Sequence, residues 1–430
     1  MTKELEGVKE LDELIKGFDW AINDMEVNPP KFKSDRYFFE AVKKYYQRAY
    51  EATINHKPLV DSGLFVPVEL YQAMDIPYFL SEYHSILYAT RSPDKIFQYL
   101  DIAEGYGLSN EICSPHRVAL GLAIKKMVPR PSLVVSTATT CDQTLKLYDN
   151  LSNFYKVPAF MIDTPYGFTE KDINYAKKEI QGMIHFLEEH TGQKLDYDRL
   201  KEVLELSKAG YDYWGKICEL RKTIPCPIGS RDSIKDFGVL LTAGGTLEGV
   251  RYFENRYQEI KEKVDRKEGS IPEERHRVAW LYVLPLFDLG IADWMEEEYG
   301  AVIVMDTFGY SNPLIQLEPG DPIDFMAKKP LKWGFIQLGW GDGALTGFSK
   351  TMARQVKEYN ADMAMLLAHW SCRQYCGTIK QLRDDVTEMA GVPFLIIDGD
   401  LLDSRVVSSA QMKAKIKDFF KTVETRAGSK

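Results

Sequence analysis

The sequence predicts an α/β protein with two doubly wound parallel-sheet domains and additional helical segments. Short apolar runs alternate with amphipathic helical stretches in two separate blocks, which is typical of a parallel sheet with helices on both faces. The chain of 430 residues also exceeds the length at which a single hydrophobic core usually stops growing. We therefore expect two packed units rather than one.

The points at which the pattern changes predict four regions. Residues 1–57 form a helical N-terminal segment, and residues 58–167 form the first α/β domain. Residues 168–275 form a charged helical insert or linker, in which residues 236–275 have a weaker pattern. Residues 276–430 form the second α/β domain, which closes with the amphipathic helix SAQMKAKIKDFFKTVE. Each sheet-bearing domain is expected to be Rossmann-like or flavodoxin-like.

The predicted strands are apolar runs with helical segments between them. In the first domain they are KPLVDSGLF, MDIPYFLS, PSLVVSTATT and VPAFMIDTP. In the second domain they are RVAWLYVLPL, GAVIVMDTF, ADMAMLLAHW and VPFLIIDGD. The glycines of LTAGGTLEG do not form a GxGxxG motif after a strand, so the sequence does not support nucleotide binding by this chain.

Charge and hydropathy exclude several classes of partner. The 63 acidic and 54 basic residues give a net charge of -9, which offers no electrostatic footprint for nucleic acid or an anionic membrane. No apolar run approaches the roughly 20 residues of a membrane span. The beginning of the chain, MTKELEGVKELDELIKGFDW, lacks the apolar region of a signal peptide. We expect a cytoplasmic protein with reduced cysteines.

Three of the six cysteines occupy positions where ligands gather in open parallel sheets, at the carboxyl ends of strands. Cys141 follows the run LVVSTATT of the first domain, and Cys372 follows AMLLAHW of the second. Cys113, in NEICSPHR, precedes a predicted helix of the first domain. The sequence therefore predicts that three cysteines from two domains meet in the cleft between them.

A helix is expected just after each of these cysteines, and its N-terminal dipole should lower the thiol pKa and favour the metal-binding thiolate. Iron-sulfur clusters are normally held by four thiolates, so three on a cubane would leave one iron open to substrate. Packing is the alternative, because free cysteine behaves as a small buried hydrophobe. The wide spacing of the three residues matches no compact metal motif.

The other three cysteines are expected to pack in the core. Cys218 and Cys226 lie near the end of a charged helix with no sign of chemistry nearby. Cys376 lies one helical turn after Cys372 and would share its face, so a ligand role is the alternative for this residue.

Several segments, in this order and at these distances, resemble the 2-hydroxyacyl-CoA dehydratase and benzoyl-CoA reductase family. The resemblance extends from about Lys57 to Glu424. The segments are VDSGLFVPVELYQAMDIPYFLSEYH, ICSPHR, TTCDQTLKLYDNLSNFYKVPAFMIDTPY, HWSCRQ and GVPFLIIDGDLLDSRVVSSAQ. The resemblance implies a [4Fe-4S] cluster held by Cys113, Cys141 and Cys372. Related double-cubane proteins carry further cysteines before the last ligand, but LKWGFIQLGWGDGALTG has none, so a single cubane is expected.

The resemblance also implies the chemistry and the partners. In this family a one-electron reduction turns the carbonyl of a CoA thioester into a ketyl radical anion, which expels the α-hydroxyl and makes the β-proton acidic. The electron must have a very low potential, and cubane clusters reach roughly -700 mV. A separate ATP-hydrolysing activator with its own [4Fe-4S] cluster delivers the electron, and a related second cluster-bearing subunit completes a heterodimer.

The implied acid-base residues lie in the segment LSEYH. Glu82 and His84 fall where family dehydratases show a Glu followed by a His, and Glu82 is the first candidate for proton handling. The alternatives are a helix-capping glutamate and a partly exposed histidine. Ser62, in the turn after the preceding strand, is expected to hydrogen-bond the substrate.

Cationic and aromatic residues beside the cysteines are expected to tune the cluster. His116, Arg117 and Arg373 could donate hydrogen bonds to its sulfurs and raise its potential, with surface salt bridges as the alternative. Trp370 is expected to pack against the apolar side of the cluster. The acidic run DGDLLDSR is interpreted as a turn rather than a metal site, because Asp, Gly and Ser favour turns and caps.

Three functions are compatible with these residues. The favoured one is the iron-sulfur subunit of a 2-hydroxyacyl-CoA dehydratase. The second is a subunit of an ATP-dependent benzoyl-CoA reductase, which would direct the electrons into an aromatic ring. The third is an electron-relay subunit whose companion holds the substrate.

Overall fold

The computed structural model describes residues 5–138, 141–165, 167–306, 320–332 and 344–428. Two four-stranded parallel sheets with helices around them confirm the predicted class of fold. The first sheet has the order β2-β1-β3-β4 and consists of β1 (Val60–Ser62), β2 (Tyr78–Phe79), β3 (Leu133–Thr137) and β4 (Ala159–Ile162). The second has the order β6-β5-β7-β8 and consists of β5 (His276–Trp280), β6 (Ala301–Asp306), β7 (Met363–His369) and β8 (Phe394–Gly399).

Helices precede, separate and follow these strands. Those up to the end of the first sheet are α1 (Val8–Val27), α2 (Asp35–Ile54), α3 (Val68–Ala73), α4 (Ser81–Arg91), α5 (Ile96–Tyr106), α6 (Ser114–Ile124) and α7 (Asp142–Tyr155), with a 3-10 turn at Pro93–Lys95. The region between the sheets contains α8 (Glu170–Thr191), α9 (Tyr197–Leu220), α10 (Ser230–Ala243) and α11 (Leu247–Asp265). The second sheet is accompanied by α12 (Gly290–Tyr299), α13 (Pro322–Lys332), α14 (Ala344–Glu358), α15 (Arg373–Cys376), α16 (Ile379–Ala390) and α17 (Ser409–Gly428).

The inner strands are buried on both faces, which explains their nearly continuous apolar sequences. Every residue of the inner strands β3 and β7 is buried, and so is every residue of the edge strand β6. The strands that the sequence predicts all occur, and residues 236–275, where the pattern is weak, contain the end of α10 and all of α11. The predicted domain boundaries remain predictions.

Each sheet has a topological switch point, where the chain leaves a central strand first toward one edge and then toward the other. In the first sheet it lies between β1 and β3, and in the second between β5 and β7. Loops diverge from the carboxyl ends of such strand pairs and leave a crevice there. The candidate site lies at these two positions.

A buried ion pair fastens the second sheet's region to the first. Lys329 Nζ of α13 lies 2.6 Å from Glu69 Oε1 of α3, and the hydroxyl of Ser207 on α9 donates to the same carboxylate at 2.5 Å. Burial alone would favour the neutral forms, but the mutual attraction lowers the pKa of Glu69 and raises the pKa of Lys329. Among the described residues, no helix is long and apolar enough to cross a membrane.

Candidate active site

The loops at the two switch points enclose one cavity of about 180 Å³. Leu64 and Phe65 line it from the loop after β1, and Tyr282 lines it from the loop after β5. Cys141 and Cys372 reach it from the loops after β3 and β7. The crevices of both sheets therefore open into the same space.

Cys113, Cys141 and Cys372 all line this cavity, and each occupies the N-cap position of a helix. Cys113 precedes α6, Cys141 precedes α7, and Cys372 precedes the short α15. The Cys141 sulfur accepts a hydrogen bond from the backbone N–H of Gln143 at 3.3 Å. The structure thus brings the three cysteines together from two sheets.

The expectation of low thiol pKa values is wrong. Burial raises the pKa of Cys113, Cys141 and Cys372, that of Cys141 to about 12. Negative charge on one of these sulfurs also disfavours ionisation of another, since the Cys141 and Cys372 thiolates both raise the pKa of Cys113. Desolvation in an apolar cavity therefore outweighs the helix dipoles, and a bound metal would have to displace the protons.

The three sulfur donors are of the type that binds an iron-sulfur cluster. Within the part of the chain that the structure describes, no three His, Cys, Asp or Glu side chains are arranged to hold one metal ion. A cubane is larger, and its thiolates bind different irons at separate corners. Three soft sulfur donors around one partly enclosed, mostly apolar cavity meet that requirement.

One carboxamide connects the loops that carry the cysteines. The side-chain oxygen of Gln143 accepts from the backbone N–H of Cys113 at 2.7 Å, and its nitrogen donates to the carbonyl of Ser371 at 2.6 Å. Gln143 itself follows Cys141 by two residues. A single buried side chain therefore fixes the spacing of all three cysteines. In the sequence, only its position two residues after Cys141 points to Gln143.

His369 is a further residue of the site, and the sequence did not indicate a role for it. This residue ends β7 and is fully buried, with Nε2 3.2 Å from Cys113 Sγ and 2.9 Å from Ser371 Oγ. Its Nδ1 lies 3.5 Å from the buried carboxylate of Asp400. A histidine from the second sheet therefore contacts a sulfur from the first.

A carboxylate and an imidazole lie beside the cysteines. Glu82 and His116 both line the cavity and are 4% and 5% exposed, and Nε2–H of His116 donates to the Glu82 carboxylate. The backbone N–H of Leu64 donates to Glu82 at 3.2 Å, and the hydroxyls of Thr144 and Tyr148 do so at 3.4 and 3.5 Å. These contacts hold the carboxylate in one orientation at the cavity wall.

A family model described as 2-hydroxyglutaryl-CoA dehydratase, D-component, matches residues 63–423. The chain belongs to this family. The match begins directly after β1 and includes β3, the whole second sheet and every cysteine of the sequence.

Relatives in the D-component family include both dehydratase and reductase proteins. The chain is 25% identical over 369 residues to the (R)-phenyllactyl-CoA dehydratase alpha subunit of Clostridium sporogenes, a match that covers 82% of this chain and 86% of that protein. It is 23% identical to the (R)-2-hydroxyisocaproyl-CoA dehydratase alpha subunit of Clostridioides difficile, with 89% and 94% covered. It is 24% identical to one of the benzoyl-CoA reductase subunits of Thauera aromatica, with 75% and 79% covered.

Two of the three predicted catalytic residues, His84 and Ser62, are not among the described residues that line the cavity. His84 packs against the rings of Tyr46 and Phe79, and burial lowers its pKa to about 3, so it is neutral. The Ser62 hydroxyl lies 3.0 Å from the hydroxyl of Tyr71. Of the three, Glu82 alone is among the described lining residues.

The residues that were predicted to donate hydrogen bonds to the cluster sulfurs differ in their positions. His116 reaches the cavity, whereas Arg117 donates to the carbonyl of Ile112 at 2.9 Å and forms an ion pair with Glu104. Arg373 is exposed and forms an ion pair with Asp142, the residue after Cys141. Arg373 thus makes the surface salt bridge that was the alternative for these residues, whereas Arg117 is buried, so its ion pair is not a surface one.

Trp370 and the acidic run DGDLLDSR meet on the outer side of the site. Trp370 is 39% exposed and is not among the described lining residues, and its indole N–H donates to Asp400 Oδ2 at 3.0 Å. The other oxygen of Asp400 accepts from the backbone N–H groups of Leu402 and Asp403, both at 2.9 Å. That pattern is the predicted turn, and the Asp400 carboxylate also binds the hydroxyl of Ser114, next to Cys113.

The remaining cysteines lie away from the described cavity lining. Cys218 and Cys226 are buried in the core, where the Cys226 thiol donates to the carbonyl of Ile228 at 3.2 Å. The Cys376 thiol donates to the carbonyl of His369 at 3.3 Å. Most of LKWGFIQLGWGDGALTG lies outside the described residues, so the expectation of a single cubane remains a prediction.

Proposed function

We propose that this chain is the iron-sulfur subunit of a 2-hydroxyacyl-CoA dehydratase that depends on an ATP-hydrolysing activator. One observation carries the proposal: three cysteines from two parallel-sheet domains line one cavity together with the Glu82–His116 pair. The family match and the dehydratase names of two relatives support it.

In this proposal Cys113, Cys141 and Cys372 hold a [4Fe-4S] cluster, with His369 beside the first of them. When bound, such a cluster supplies electrons of very low potential and an iron that can act as a Lewis acid. The Cys141 and Cys372 loops come from the carboxyl ends of rigid, fully buried strands. The chain can therefore hold the ligands at fixed positions while the substrate enters beside them.

Elimination of water from a 2-hydroxyacyl thioester moves two protons. One must reach the departing hydroxyl, and one must leave the β-carbon. The Glu82–His116 pair can give the first proton and accept the second, so it returns to its initial protonation state in each cycle. Acid-base groups within hydrogen-bond reach contribute about 10²–10⁴-fold to a rate. His84 and Ser62 remain predicted contributors, and from their positions they would act through the orientation of neighbouring groups.

The cavity wall protects this chemistry from water. Most of the described lining is apolar, and the polar groups Glu82, His116 and the cysteines are concentrated together. A wall that excludes water strengthens the electrostatic interactions among these groups and limits proton transfer from solvent to the reduced substrate. We further propose a related second subunit as partner, since two dehydratase relatives are named alpha subunits.

The test is metal analysis followed by turnover. The protein, purified without oxygen, should contain iron and acid-labile sulfide, and with activator and ATP it should consume a 2-hydroxyacyl-CoA. Protein without either element would overturn the proposal. A second candidate, benzoyl-CoA reductase, is favoured by the 24% identity to a subunit of that enzyme and by the apolar cavity. Consumption of benzoyl-CoA instead of the hydroxyacyl thioester would establish it.

The electron-relay function remains an alternative for either reaction. A relay subunit would carry a fully ligated cluster that does not respond to substrate. Addition of a 2-hydroxyacyl-CoA to the reduced protein should instead change the electron paramagnetic resonance signal of its cluster. An unchanged signal, with turnover intact in the complete complex, would assign this chain to electron relay.

A further inference from the structure

We propose that the cavity accepts an apolar acyl group and rejects acyl groups that carry a second carboxylate. The inference rests on the proposed function and deepens it by naming the substrate class. It is carried by the chemistry of the walls and the charges around them.

The first wall is one face of α10. Its lining residues follow at intervals of three and four, which places them on a single stripe of the helix. Ile234, Phe237 and Leu241 give this stripe aliphatic and aromatic surface. Gly238 permits the close approach of Tyr83, whose hydroxyl a Cβ at this position would meet at 3.0 Å. The ring centroid of Phe237 lies 6.4 Å from that of Phe65 on the loop after β1. An aromatic and aliphatic surface therefore runs from α10 to the first sheet.

The other walls have the same character. Tyr83 and Ile86 line the cavity from α4, where they follow Glu82 by one and four residues. Val283, Leu284 and Leu286 line it from the loop after β5. Ile86, Ile234 and Phe237 are only partly buried, because they face this open space. Apolar side chains of such size facing a cavity favour an apolar occupant.

No lysine or arginine is among the described lining residues. The charged side chains there are Glu82 and Asp306, both acidic, and His116 is engaged with Glu82. Arg221 lies behind the wall, with Nη2 3.5 Å from Asp306 Oδ2, so its charge already has a counterion. Residues 307–319 and 333–343, outside the described part, contain no lysine or arginine in their sequence.

A second carboxylate on the substrate would therefore face a wall that carries acidic groups and, among its described residues, no lysine or arginine. Burial of an unpaired carboxylate costs several kcal/mol, whereas burial of a hydrocarbon group is favourable. A phenyl or branched aliphatic group would bury more apolar surface against these walls than a methyl group would.

The experiment measures binding separately from turnover. The protein, purified without oxygen together with any subunit that copurifies, is titrated calorimetrically with 3-phenylpropanoyl-CoA, glutaryl-CoA and propanoyl-CoA. None of these has a 2-hydroxyl, so none can be dehydrated. We expect 3-phenylpropanoyl-CoA to bind at least about 100-fold more tightly than glutaryl-CoA and about tenfold or more tightly than propanoyl-CoA. Equal or tighter binding of glutaryl-CoA would overturn the inference.

A matched pair of variants tests the wall directly. Ile234→Arg places a cation on the α10 stripe and should reduce the preference for 3-phenylpropanoyl-CoA over glutaryl-CoA by about tenfold or more. Ile234→Leu keeps the volume and polarity and should preserve the preference. An unchanged preference in a folded Ile234→Arg protein would contradict the assignment of this wall. If that variant does not fold, the relative affinities of the wild-type protein for the three CoA thioesters still test the inference.

Measurement of turnover distinguishes failure of the apolar-cavity inference from failure of the proposed dehydratase function. The same protein receives activator, ATP and either 2-hydroxy-3-phenylpropanoyl-CoA or 2-hydroxyglutaryl-CoA. Selective binding without turnover of either compound would retain the apolar cavity and overturn the dehydratase function. Turnover of both compounds with no selectivity in binding or rate would retain the dehydratase and overturn the apolar cavity.

Discussion

The side chain of Gln143 donates to the carbonyl oxygen of Ser371 at 2.6 Å, across the junction between the two sheets. The same carboxamide accepts from the backbone N–H of Cys113. Three loops that lie far apart in the sequence, each with a cysteine of the candidate cluster site, are thus linked by one buried amide. This contact leads to the first prediction.

Replacement of Gln143 with Leu should loosen the three-cysteine arrangement. The backbone groups of Cys113 and Ser371 would lose their partners, which costs roughly 1–3 kcal/mol for each buried group left unsatisfied. We expect the variant to fold with a lower free energy of unfolding and to hold less iron per chain than the wild type. Urea titration and iron analysis measure the two effects. Gln193→Ala, at an exposed position, is the control, and equal iron content in both variants would contradict the role of Gln143.

Alanine variants of the cysteines should fall into two groups that differ in iron content. Cys113→Ala, Cys141→Ala and Cys372→Ala each remove a proposed thiolate, so each should lose nearly all iron and acid-labile sulfide. Cys376→Ala should keep most of both, because its thiol donates to the carbonyl of His369 and lies outside the described cavity lining. Iron loss in the Cys376 variant would instead make Cys372 and Cys376 a ligand pair.

Glu82→Gln should impair turnover without loss of the cluster. The change keeps the shape of the side chain but removes the carboxylate that holds the His116 N–H. General acid-base catalysis contributes about 10²–10⁴-fold, so we expect a fall in kcat of that size with normal iron content. His84→Gln, on the same helix but outside the described lining, should cause a smaller loss. A larger loss for His84 than for Glu82 would reverse the assignment.

Lys329→Met should destabilise the fold strongly. It would leave the fully buried carboxylate of Glu69 without its cation, and loss of one partner of a buried pair costs about 3–5 kcal/mol. Equilibrium unfolding in urea measures the change. In the double variant with Glu69→Leu no charge remains unpaired, so much of the loss should be recovered. No recovery would show that Lys329 stabilises the fold through other contacts.

The same ion pair should contribute to the pH dependence of stability. The pKa of Glu69 is lowered in the folded protein, where the opposing effect of burial is outweighed by Lys329 and hydrogen bonds. Its contribution is therefore present above the pKa of an unfolded glutamate, about 4.3, and is lost as the pH falls through the folded value. Lys329→Met should unfold with a weaker acid dependence than the wild type between pH 6 and pH 3, roughly the range around those values. An unchanged slope would exclude this linkage.

The sequence by itself determined the class of fold and the main positions of the site. Apolar runs such as LVVST and MAMLLAH are typical of strands that are buried on both faces of a parallel sheet, and they predict β3 and β7. Since ligands gather where such strands end, the sequence places Cys141 and Cys372 at the cleft. The family resemblance added Glu82 and the ligand set.

Tertiary structure alone decided which groups meet. The pairing of Glu82 with His116, the approach of His369 to Cys113, and the bridge made by Gln143 join residues whose separation in sequence carries no periodic signal. The apolar stripe of α10 lies in a stretch where the local pattern was weak. The thiol pKa values also rose rather than fell, because desolvation depends on everything that surrounds a sulfur, whereas the helix dipole can be foreseen from its neighbours in the chain.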